Sequence, residues 1–203
     1  MGRFKVKKQD TFIDMTPMSD VMVLLLTFFM LTATFVKEEP VKVNTPGSVS
    51  EIKIPTSNLM TIFIEKNGKV FMTMDSPESL RTLAMAMNDN GSLNLSASEI
   101  KTFGDTPTFG MPLNLMRSWI KAENKNEILN TDKNAGIPCD SVNNELKTWV
   151  SVAGDQFGES MKIAIKADKN TSYSVVKKVM DTLRDIDQNR YYLLTSLKEG
   201  KNE

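Results

Sequence analysis

One carboxylate stands at the head of an uncharged apolar run. Asp20 precedes residues 21–36, Val-Met-Val-Leu-Leu-Leu-Thr-Phe-Phe-Met-Leu-Thr-Ala-Thr-Phe-Val. A carboxylate within a membrane costs several kcal/mol or takes up a proton. Anchoring a protein requires no such group, so proton relay is the first chemistry to consider for Asp20. Thr27 and Thr34 follow it at steps of seven. On a helix each such step drifts by only about 20°, so the three residues form one thin polar seam. Thr27 could hydrogen-bond a relay water or a partner residue. A membrane threonine ordinarily bonds its own i−4 carbonyl, and that reading is preferred for both threonines. Asp14 lies before Pro17 and reads as a polar helix-start or interface residue.

The element that must position Asp20 is a membrane-spanning helix over residues 15–36. Its core from Pro17 is about 20 residues, roughly 30 Å at 1.5 Å per residue, which matches one hydrocarbon thickness. Pro17 suits the first turn, where its missing N–H costs nothing. Lys37, Glu38 and Glu39 end the run in charge. A secretory signal peptide is the rival reading. It is disfavoured by the length of the run and by the lack of an A-x-A pair before the charges. Arg3, Lys5, Lys7 and Lys8 precede the span. The positive-inside rule therefore keeps residues 1–14 in the cytoplasm and puts the rest outside, in the periplasm of a Gram-negative cell.

Composition narrows the function classes. The chain has 203 residues, with Lys+Arg 25 and Asp+Glu 25. This balance, with no basic cluster beyond the N-terminal tail, speaks against nucleic acid as a partner. There is no histidine, which removes His-based triads and most zinc sites. Cys139 is the single cysteine, so no intrachain disulfide forms. No Gly-rich phosphate loop appears, and neither an enzyme nor a cofactor is expected.

Beyond the span, residues 37–58 read as an extended linker, because Pro40, Pro46 and Pro55 forbid a continuous helix. Residues 41–43 and 52–54 alternate as strands do. A hairpin is predicted from strands at 59–65 and 69–74 around Asn67-Gly68, with φ > 0 at both turn positions. Ser76 and Pro77 open a helix with an apolar face of Leu80, Leu83, Ala84 and Met87. Residues 88–139 are rich in Asn, Ser, Thr, Gly and Asp. Within them 115–129 reads as a helix carrying Trp119 and Ile120. Asp140 or Ser141 caps another through about residue 152, with Val142, Leu146, Trp149 and Val150 on its face. Both tryptophans read as packing residues. A strand at 161–167, a helix from Thr171 or Ser172 and a last strand at 190–197 follow, with a tail at 198–203. The fold class is thus a single N-terminal transmembrane helix plus an α+β periplasmic domain, 59–197, with a small sheet and helices packed on one face.

Three blocks carry a resemblance to a known family. Ile13-Asp-Met-Thr-Pro-Met-Ser-Asp20 is similar to the start of the ExbD/TolR family helix, where a Thr-Pro pair precedes the membrane aspartate. The stretch Val41, Lys42, Val43, Asn44, Thr45, Pro46 resembles the family's short segment after the span. Residues 163–169, Tyr173 and 179–183 resemble its periplasmic strand–helix signature. Residues 10–75 and 140–197 are covered roughly; 88–139 reads as an insertion with no counterpart.

The resemblance implies a motor subunit without cofactors. ExbD-like helices pair, one copy with a second, inside a ring of a larger ExbB-like partner. Proton flow there drives work on a TonB-like protein, which energises outer-membrane import. Asp20 matches the family's proton-binding residue. Val41, Lys42, Val43, Asn44 and Pro46 match the stretch that contacts the TonB chain. A TolR-like role, energising TolA for outer-membrane integrity, and a non-motor anchored periplasmic binding domain are the alternatives.

Overall fold

A computed structural model describes residues 16–32, 41, 43–48, 58–140, 143–194 and 196–197. Thr34, Lys42, the strand expected over 52–54 and the tails 1–14 and 198–203 lie outside the described residues. The chain divides into two compact units, Met1–Lys37 and Glu38–Glu203.

The first unit holds helix α1, Thr16–Thr32, of 17 residues. At 1.5 Å per residue it is about 25 Å long. Among the described residues no helix is long and apolar enough to cross a membrane. The apolar run goes on through Val36 in the sequence, beyond the described end of α1.

The second unit is α+β, built on a mixed four-stranded sheet. Strands β2 (Leu59–Ile64) and β3 (Val70–Met74) form the antiparallel hairpin. Strand β4 (Lys162–Ala167) runs parallel to β2, and β5 (Tyr191–Leu193) parallel to β4, giving the order β3-β2-β4-β5. Side chains alternate between faces. The register therefore stacks Met60, Ile62 and Ile64 beside Met74, Met72 and Val70, and beside Ile163 and Ile165. This apolar row shares one core with helices α2 (Pro77–Asp89), α6 (Glu145–Phe157) and α7 (Tyr173–Arg184). The hairpin turn departs from expectation. Gly68 has φ +85°, but Asn67 does not enter the left-handed region. Gly68 N–H donates to Glu65 O at 2.9 Å and Glu65 N–H to Lys69 O at 3.0 Å. This is a longer loop, in which glycine alone takes the left-handed conformation.

Helix α2 forms as its sequence dictates: Ser76 accepts from Ser79 N–H, Pro77 opens the helix, and Leu80, Leu83, Ala84 and Met87 are buried. Three other expectations need correction. Helix α6 starts at Glu145, capped by Asn144, whose side chain accepts from Lys147 N–H. Asp140 instead lies in the loop before it, where Cys139 forms an isolated bridge with Asn144. The single helix expected over 115–129 is two, α4 (Leu113–Lys121) and α5 (Lys125–Thr131). Ala122 turns extended between them, and Trp119 Nε1 donates to Lys125 O at 3.1 Å across the corner. The last strand is also two pieces. β5 pairs with β4, whereas β6 (Ser196–Leu197) pairs in parallel with β1 (Gly47–Ser48), just after the segment that follows α1.

Residues 88–139, which read as an insertion in the sequence, are folded into the same core. Helix α3 (Ala97–Gly104) opens with a reciprocal cap: Glu99 N–H donates to Ser96 Oγ at 3.4 Å and Ser96 N–H to Glu99 Oε2 at 2.7 Å. Phe103 and Phe109 pack on Trp149 of α6, with ring centroids 6.1 and 4.8 Å away. Trp149 is fully buried and Trp119 is 2% exposed, so both tryptophans serve packing.

Candidate functional site

Helix α1 presents Asp20 in its second turn, the one charged side chain among residues 16–32. The flanking Met18, Val21, Met22, Leu24 and Leu25 are all exposed in the single chain. A helix that is apolar all round is built to be covered by lipid or by other helices. Thr27 lies on the same side as Asp20, seven residues on. Its hydroxyl donates to Val23 O and to Leu24 O, each at 2.9 Å. Its proton is thus engaged within its own helix, the behaviour preferred for this residue from the sequence. Thr32 does the same toward Phe28 O at 2.7 Å.

The segment after the helix is held by the second unit rather than free. Val41 is 1% exposed and belongs to the core, and Val43 packs partly buried against it. Asn44 is exposed in its side chain, but its backbone is gripped on both sides. Its N–H donates to Asp168 Oδ2 at 3.0 Å, and its carbonyl accepts Lys169 N–H at 2.8 Å. Pro46 is exposed. Of the residues matched to a partner-contacting stretch, Val41 and Val43 are therefore engaged in the fold, while Asn44 and Pro46 face outward.

Asp168 is the anchor that sequence reasoning missed. It follows β4 and is 9% exposed. Its other oxygen accepts Asn170 N–H at 2.9 Å, closing a turn two residues on. The Asn170 N–H, then the Asn44 N–H and the charges of Lys169 and Lys66, outweigh burial and hold its carboxyl below the usual carboxylate range. An aspartate between strand β4 and Lys-Asn-Thr-Ser signals the local turn; its long-range bond to Asn44 leaves no mark in sequence spacing.

Glu99 is a second buried carboxylate. Arg117 Nε lies 3.1 Å and Lys121 Nζ 3.3 Å from its Oε1. The Ser96 N–H first, then these two cations, bring its pKa down to about 2 against the opposing effect of burial. It ties α4 to α3 and stays ionised. Burial, and then the neighbouring Asp140 charge, push the Cys139 thiol up, so it is protonated and unreactive at neutral pH. Among the described residues no three His, Cys, Asp or Glu side chains gather as metal ligands would.

The profile of the family described as Biopolymer transport protein ExbD/TolR matches residues 7–198. The biopolymer transport protein exbD2 of Vibrio cholerae serotype O1 is 41% identical over 52 residues, 26% of this chain and 39% of that protein. The chain thus spans about two fifths of the length of that relative. No solved structure matches.

Proposed function

Because the chain belongs to the ExbD/TolR family of biopolymer transport proteins, we propose that it is an ExbD-like motor subunit. In this reading it is driven by the proton-motive force, and Asp20 is the proton carrier. The observation that carries the reading is the lone carboxylate of Asp20 on the otherwise uncharged and mostly apolar helix α1, in a chain matched to the family across that helix. The helix spans the inner membrane once, with its N-terminus cytoplasmic and the α+β unit periplasmic. Two copies pair inside an ExbB-like ring.

The chemistry is that of a carboxylate moved between two surroundings. In a dry helix interface a carboxylate takes up a proton; beside water or a cation it releases one. Each proton that crosses about 100 mV delivers roughly 2.3 kcal/mol. If the two helices sit inequivalently in the ring, protonation of one Asp20 biases the pair toward rotation.

The work is passed to a TonB-like protein through the segment after the span. A partner meets Asn44 and Pro46 first. To read Val41 and Val43 as well, it must draw the segment off Asp168.

The name of the Vibrio cholerae relative favours the ExbD-like role. The TolR-like role is the second reading. Deleting the gene separates them. Loss of growth on an iron chelate or haem that needs active uptake, with normal detergent resistance, supports the ExbD-like role. Detergent sensitivity with normal uptake supports the TolR-like one. A non-motor anchored domain is indicated if residues 37–203, secreted without the helix, restore the phenotype.

A further inference from the structure

The outer edge of the sheet at β3 is closed by the chain's own insertion. Met72 N–H donates to Phe109 O at 2.8 Å and Phe109 N–H to Met72 O at 2.9 Å. Ile137 N–H donates to Val70 O at 2.8 Å. The two short runs, 107–110 and 136–137, are tied together by Gly136 N–H to Gly110 O at 2.7 Å. Glycine is what lets them lie flat. A Cβ at Gly110 would overlap the Phe71 ring, and Gly136 has φ +118°, with Lys69 Cβ 3.3 Å from where its own Cβ would stand. Two side chains of the hairpin hold the strap from outside the core. Thr73 Oγ1 donates to Pro107 O, and Lys69 Nζ donates to Asp132 O at 2.6 Å.

Beneath the strap, β3 reads Val-Phe-Met-Thr-Met, five residues without a charge or a proline. Strand edges of this kind add further strands unless they are blunted, and none of the usual blunting devices lies within β3 itself. We propose that the insertion is a cis guard over β3. It masks an edge that, once uncovered, pairs antiparallel with the β3 edge of a second copy of this chain. The sequence of β3 suits a two-fold pairing centred on Met72, because the outward Met72 N–H and C=O can exchange bonds with the same groups of the partner copy. The strap thereby keeps association of the domain away from β3, whatever work the chain performs. This inference does not rest on the motor reading.

The test uses the full chain in detergent. Gly110→Val forces the strap away from Phe71. The double variant Lys69→Ala/Thr73→Val removes the two side-chain holds and leaves the core residues in place. Association is read as concentration-dependent mass by light scattering, with amide hydrogen exchange at Met72 followed in parallel. The proposal expects at least one folded variant to double in mass relative to wild type, with the Met72 amide slow to exchange in the larger species and fast after dilution. A Gly110→Val chain that fails to fold leaves the decision to the double variant. Wild-type mass at every concentration in each folded variant overturns the proposal, whether or not Met72 exchange rises.

Discussion

The carboxylate of Asp168 accepts the backbone N–H of Asn44 at 3.0 Å, across 124 positions of sequence. Together with the bond from Lys169 N–H to the Asn44 carbonyl, it joins the segment that follows the apolar helix to the end of β4.

Asp168→Ala should therefore free the Asn44 amide without unfolding the sheet, while the Lys169 N–H bond to the Asn44 carbonyl and the pairing of β1 with β6 remain. Loss of a charge-assisted hydrogen bond corresponds to roughly ten- to hundredfold faster exchange of the Asn44 amide. Core amides such as Ile165 should be unaffected. The pH dependence has a definite sign. The Asp168 carboxyl is held low, so its grip is fully present above the ordinary carboxylate pKa and is lost as pH falls through the lower folded value. In the wild type, Asn44 protection should persist through the ordinary carboxylate range and fall only below it.

Glu99 predicts an acid-stability difference. Its folded pKa of about 2 lies below the ordinary value of 4.5. The stabilisation is thus present above about pH 4.5 and disappears as pH drops toward 2. Glu99→Gln should lower the urea midpoint at pH 7 and flatten its decline between those two pH values. Midpoints measured on both proteins across that range check this; parallel curves would remove the ion-pair account of the α3–α4 contact.

Both Glu99 and Asp168 show where the sequence was legible and where it was not. The run from Ser76 to Met87 announced α2, since its cap, its proline and its apolar spacing are all local. Ser96 and Glu99 form an equally local capping signature ahead of Ile100 and Phe103, yet the surrounding Asn, Ser and Gly residues obscured α3. The break at Ala122 was hidden because apolar residues recur at helical spacing on both sides of it. The strap on β3 and the Asn44–Asp168 bond join residues far apart in the chain, and no periodicity encodes such pairings. Residues 190–197 read as one strand by composition. Their division between two sheets comes from the partners β4 and β1, and partners are not local either.

Trp149 sets the cost of disturbing the shared core. It is fully buried against Phe103 and Phe109, which also pack on each other, and its Nε1 has no hydrogen-bond partner among the described residues. Trp149→Ala should destabilise the protein by about 3–5 kcal/mol through the cavity it leaves. Trp149→Phe also removes the orphan donor, so its loss should be nearer about 1–2 kcal/mol. Denaturant unfolding of the two variants measures the difference. Equal losses would mean that a phenyl ring does not fill the space left by the indole, against the cavity account.

Thr27 separates a relay from a structural residue on α1. Its hydroxyl proton is already given to Val23 O and Leu24 O. Thr27→Val should leave energised uptake within about twofold of wild type, since only a bond within its own helix is lost. A collapse of uptake with normal assembly would instead place Thr27 on the proton path.

In the proposed motor, Asp20 carries the protons that drive transport. Its most direct test is growth on an iron chelate that needs active uptake, comparing wild type with Asp20→Asn, with co-purification of the ring partner followed in parallel. Asparagine keeps the shape and removes the titration. Uptake should fall to background level with the complex intact. Wild-type uptake by Asp20→Asn would contradict that role.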